Sequence, residues 1–142
     1  MDTDTYLKLT LEGATKVLQA ALTEARSRGR EVSVAVVDAG GHPIAFARTD
    51  KASLTTIAVA QNKARCAAFI AFPTGKKSKA GNERSDFHAL AITLAAGPDK
   101  MVTMQGGVPI KVKGQVVGGV AVSGAGHSDG EIAQVGASVL DV

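Results

Sequence analysis

The stretch EVSVAVVDAGGHPIAFAR, residues 31–48, decides how the chain is read. Its first half is β-branched and almost continuously apolar, the composition of a central strand covered on both faces. Asp38, Ala39, Gly40, Gly41 and His42 supply turn residues, and PIAFAR then reads as the returning strand of a hairpin. Upstream, Leu11, Ala14, Val17, Leu18, Ala21, Leu22 and Ala25 recur at three- and four-residue spacing, which predicts a helix with one apolar face that Gly29 ends.

Downstream, Ser53 is the expected N-cap of a second helix, residues 54–70, dominated by Ala58, Ala60, Ala64, Ala67 and Ala68. So little side-chain bulk lets its backbone approach a sheet, another helix or a flat ligand. The basic run PTGKKSKAGNE, residues 73–83, reads as a solvated loop or a lid over an anion, and Ser85 or Asp86 starts a short helix that Gly97-Pro98 closes. Three strands are expected after it, at 101–104, 108–113 and 116–122, and Ser128-x-x-Glu131 has capping-box spacing ahead of a last helix. The expected architecture is one α+β domain spanning residues 1–142: a mostly antiparallel five-stranded sheet with packed helices, in the order α-β-β-α-α-β-β-β-α. Neither a fixed-period repeat nor regular βαβ alternation is present.

Composition narrows the function classes. A length of 142 residues is one domain, and 45% apolar with 20% charged residues is ordinary for a globular chain. A net charge of +3 with 4% aromatics and no Trp argues against nucleic-acid binding and weakly for anionic ligands. The single cysteine, Cys66, excludes an intramolecular disulfide framework and fits a reducing compartment. With no secretory pattern at the start and no apolar run of ~18 residues, no membrane contact is expected and a cytoplasmic location is.

Five segments carry a family likeness: VAVVDAGGHPIAFAR (34–48), AQNKARCAA (60–68), FPTG (72–75), GGVPIKVKGQVVGGVAVSG (106–124) and D-G-x-I-A-x-x-G (129–136). In that order they resemble the GlcG/HbpS-like family. The resemblance implies a profilin-like or PAS-like fold and homo-oligomers. It also implies a range of roles, since the family includes a haem-binding sensor partner, the haem-binding C-terminal domain of a corrinoid adenosyltransferase, and proteins encoded beside glycolate or aromatic-compound catabolic enzymes. The first helix departs from the haem-binding members: it offers Thr23-Glu24-Ala25-Arg26 and no axial His.

Several residues are candidates for chemistry. Lys63 emerges from an otherwise apolar helix face, either as a snorkelling side chain or as an ammonium that pairs a carboxylate or moves a proton; Asp38 is its expected acidic partner or else bonds the backbone of its own Ala39-Gly40-Gly41 turn. Arg65 is a second cation for an anionic ligand. In SGAGHSDGE a glycine-bearing turn precedes a helix start, so Ser123, Gly124, Gly126 and His127 either only shape the turn or line a carboxylate site, with Gly106 and Gly107 as a further wall. His42, His88 and His127 are scattered and give no zinc spacing, so no metal site is expected. Cys66, three residues after Lys63, is either a buried apolar residue or an activated thiol, and Met101 and Met104, in a short apolar strand, read as strand core rather than as haem ligands.

Two functions fit. One is a homo-oligomeric protein that binds a small ligand, haem or another tetrapyrrole or a planar carboxylate, between the alanine helix and the GGVPI segment. The other is a small isomerase, lyase or hydrolase for an anionic catabolite, with Lys63, Asp38 and His127 as the catalytic groups. Beside these two stands a structural reading, an assembly or regulatory subunit whose alanine-rich surface packs against copies of itself.

Overall fold

The computed structural model describes residues 1–140. Helix α1 (Leu11–Ser27) leads into β1 (Ser33–Asp38) and β2 (Pro43–Arg48), then α2 (Thr55–Ile70), α3 (Asp86–Ala96), β3 (Gly107–Val112), β4 (Gln115–Ser123) and α4 (Asp129–Ser138). A 3-10 turn, Gly126–Ser128, precedes α4. The sheet has four antiparallel strands in the order β2-β1-β4-β3, so β1 is central as its apolar composition requires.

Three layers result from strand alternation. Val34, Val36, Val120 and Val122 share one face of the sheet and pack with Ala14, Val17, Ala21, Ile132 and Ala133 of α1 and α4. On the other face Ala35, Val37 and Ala121 meet Ala60, Ala64 and Ala68 of α2. Small residues on both sides bring α2 close enough for a Cβ placed on Gly119 to collide with the Ala64 carbonyl, so this position admits only glycine without a backbone shift.

The fifth strand is absent. Residues 101–104 are irregular, and β3 with β4 forms a hairpin rather than part of a three-stranded meander. The reason lies in Cys66: its sulfur accepts from the Val102 N–H at 3.4 Å and lies 3.5 Å from the Val102 carbonyl. A buried thiol therefore takes both backbone groups that a ladder would have used, and Met101 and Val102 are buried against α2 instead of in the sheet.

Local signals fare unevenly. Ser85 caps α3 as expected, accepting from the His88 N–H. Ser53 does not cap α2 with its hydroxyl; Leu54 is the N-cap residue, and the Ser53 carbonyl accepts from the Thr56 N–H and hydroxyl. The Ser128–Glu131 capping box does not form either, because Glu131 binds Arg28 at 2.6 Å and Ser128 makes no side-chain cap. The basic loop is closed by backbone pairing, with a bridge between Lys77 and Glu83 and the Arg84 N–H on the Lys76 carbonyl.

Candidate functional site

Lys63 is buried, 3% exposed. It donates to Asp129 Oδ2 at 3.1 Å and to the Val122 carbonyl at 3.1 Å, while the other Asp129 oxygen accepts from the Ala125 N–H at 2.7 Å. Its partner is thus Asp129, and not Asp38. Asp38 lies four residues along β1 from Val34, the strand partner of Val122, which is about 13 Å at the usual rise per residue. There its carboxylate accepts from the Gly40 and His42 N–H groups and faces His42 Nδ1 at 3.2 Å, holding the hairpin turn.

The loop ahead of α4 is filled from within the chain. Asp129 puts a carboxylate against the Ala125 N–H, and Gln105 Oε1 accepts from the Gly130 N–H while its amide donates to the Gly126 carbonyl. Two of the N–H donors that an external anion would have used here, those of Ala125 and Gly130, are therefore occupied. Gly106 lies over the ion pair, so that a Cβ there would stand 2.7 Å from Lys63 Nζ, and Gly107 abuts the Lys63 backbone. Gly124 packs on the Glu31 carbonyl, and Ser123 is buried opposite Ser33 on β1. Gly126 is open, and His127 is exposed on the 3-10 turn. Lys63, Asp38 and His127 make no hydrogen bond to one another among the described residues.

An apolar cleft of about 510 Å³ lies on the other side of α2, a volume usual for small-ligand sites. Val59 and Asn62 of α2 form one wall, Ala89, Leu90 and Thr93 of α3 another, and residues 98–104 the third. The GGVPI segment is not a wall; it is β3, buried beneath α2. Arg65 acts here indirectly, its Nε donating to the Asp99 carbonyl at 2.9 Å and so fixing the turn that carries Pro98. At the rim Lys76 donates to Asp86 at 2.6 Å, and this bond holds the Asp86 carboxyl below the usual carboxylate range and the Lys76 ammonium above its own. Both side chains are well exposed, so the pair is weak and Lys76 can exchange partners.

Two features escaped the sequence reading. Asp129 sits 66 positions from Lys63, and only its acidity ahead of an apolar helix marked it. Met104 is 53% exposed and lines the cleft, because the strand expected to bury it does not exist. Cys66 is no activated thiol: burial pushes it up, the Val102 backbone and the more distant Arg84 charge offset only part of that rise, and Lys63 is engaged elsewhere.

Replacing Lys63 by Met strands a buried carboxylate, which is expected to cost about 3–5 kcal/mol of stability. Adding Asp129→Asn, whose amide keeps an oxygen for Ala125, should recover part of that loss. Urea denaturation of the single and double variants checks both; equal stability of Lys63→Met and wild type would remove the pair from its structural role.

The same fold is found in known proteins. The model for the family described as "Haem degrading protein HbpS-like" matches residues 9–138. Protein GlcG of Escherichia coli K12 is 33% identical over 120 residues, 84% of each chain. Among solved structures, a double mutant of HbpS from Streptomyces reticuli superposes with a TM-score of 0.82 at 36% identity, covering 99% of this chain and 92% of that one. The crystal structure of a PduOC:haem complex gives 0.79 at 25% identity, covering 96% and 97%. With its family match running from Leu9, two residues before α1, to the end of α4, and its fold shared along nearly the whole length, this chain belongs to the HbpS-like family.

Proposed function

We propose that this protein is a homo-oligomeric binder of a planar, anionic small ligand, haem or a related tetrapyrrole, seated in the cleft between α2, α3 and residues 98–104. The observation that carries this reading is the cleft itself: apolar walls, a volume of about 510 Å³, and an exchangeable ammonium at its rim. Flat apolar rings suit the surfaces of Val59, Leu90 and Pro98, and Lys76 is placed to take a carboxylate from the ligand in place of Asp86. The residues therefore fit haem, which would supply an iron centre and two propionates. The haem complex of the PduOC relative, which shares the fold at 25% identity, supports haem as the class of ligand.

Self-association is the second part of the proposal. Helix α3 buries only Ala89, and it leaves Phe87 83% and Leu94 67% exposed. Leu54, just before α2, is exposed as well. An apolar row of this kind is costly in water for a monomer and is covered economically by a second copy.

Absorption titration with hemin should show a saturable Soret shift at one haem per chain. Leu90→Glu, which places a charge on the apolar wall at a solvent-accessible position, should weaken binding at least about tenfold, or ~1.4 kcal/mol. A linear, unsaturable titration, or one indifferent to Leu90→Glu, would remove haem from this cleft. Phe87→Glu combined with Leu94→Glu should shift gel-filtration elution to the monomer; elution of wild type itself as a monomer would end the oligomer assignment.

A further inference from the structure

The histidines do not reach the cleft. His42 belongs to the β1–β2 turn and His127 to the 3-10 turn. His88 is on α3, but the cleft takes Asp86, Ala89, Leu90 and Thr93 of that helix and leaves His88 off its lining. Protein side chains that hold haem iron are imidazole, thiolate, thioether and phenolate. Among the cleft-lining residues only Met101 and Met104 belong to that set.

The two methionines differ. Met101 is 4% exposed, and its sulfur lies 3.8 Å from the Cys66 thiol, packed under α2 with Val102. Met104 is 53% exposed, makes no hydrogen bond among the described residues, and ends the third wall just before the Gln105–Gly106 turn. Exposed apolar side chains are common on this surface, so it is chemistry that singles Met104 out: it is the cleft's solvent-open thioether, and a thioether can ligate haem iron. We infer that Met104 is the protein's axial donor to the iron of a haem bound in the α2–α3 cleft, with no histidine in that role.

This inference rests on the haem reading above, and one experiment separates the two. Hemin and iron-free protoporphyrin are titrated into wild type, Met104→Leu, Met104→His and the three single His→Ala variants. Leu keeps the volume and loses the sulfur, at an exposed position where folding is unaffected. The expected result is that Met104→Leu loses the near-infrared sulfur-to-iron charge-transfer band and binds hemin at least about tenfold more weakly, while protoporphyrin binding is unchanged. Met104→His should restore hemin binding with an imidazole-type spectrum, and the His→Ala variants should match wild type. A wild-type hemin spectrum in Met104→Leu, or its loss in one of the His→Ala variants, would overturn the Met104 assignment and leave the cleft as a haem site. Failure of wild type to bind either porphyrin would overturn the haem reading and the ligand assignment with it.

Discussion

The buried bond between Lys63 and Asp129 fixes α2 against the rest of the molecule. Removing an ammonium and a carboxylate from water is costly, and the fold offsets that cost with further hydrogen bonds, from Lys63 to the Val122 carbonyl and from the Ala125 N–H to Asp129. One side chain thereby ties α2 to the end of β4 and to the start of α4. Gly106, Gly107 and Gly119 follow from the same constraint, since the helix sits so low on the sheet that side chains there would strike the Lys63 ammonium or the α2 backbone. The functional consequence is a division of α2 into two faces. Its sheet face is closed by the Lys63–Asp129 pair, and the open cleft lies on the face that carries Val59 and Asn62.

Much of this architecture is legible in the sequence where periodicity and turn chemistry agree. The β1–β2 hairpin, α1, the alanine helix and the β3–β4 pair are all where strand composition, helical spacing and glycine turns place them. The fifth strand fails for a specific reason. A four-residue apolar run satisfies a strand or any buried segment equally, and the deciding contact, Cys66 with the Val102 backbone, spans 36 positions. The capping-box signal at Ser128 fails similarly, because Glu131 is drawn to Arg28 and Gln105 accepts from the Gly130 N–H of the helix start, while at Ser53 it is the carbonyl, not the hydroxyl, that accepts from Thr56.

The candidate site is less legible than the fold. Lys63 stands out in the sequence as a charge on an apolar face, but its partner is a carboxylate hidden in what reads as an ordinary helix start. Asp38, the acid at the end of the central strand, instead accepts from the N–H groups of its own turn. The cleft has almost no sequence signature, since it is formed by three segments whose relation depends on α2 being held down and on Arg65 reaching the Asp99 carbonyl. Its exposed apolar lining becomes informative only once the elements are assembled.

Hydrogen–deuterium exchange with and without stoichiometric hemin tests most directly where the ligand sits. Added protection concentrated in α2, α3 and residues 98–104, with 123–130 unchanged, is the predicted result. Protection centred on 123–130, the glycine turn before α4, would contradict it and return the binding site to the closed face of α2.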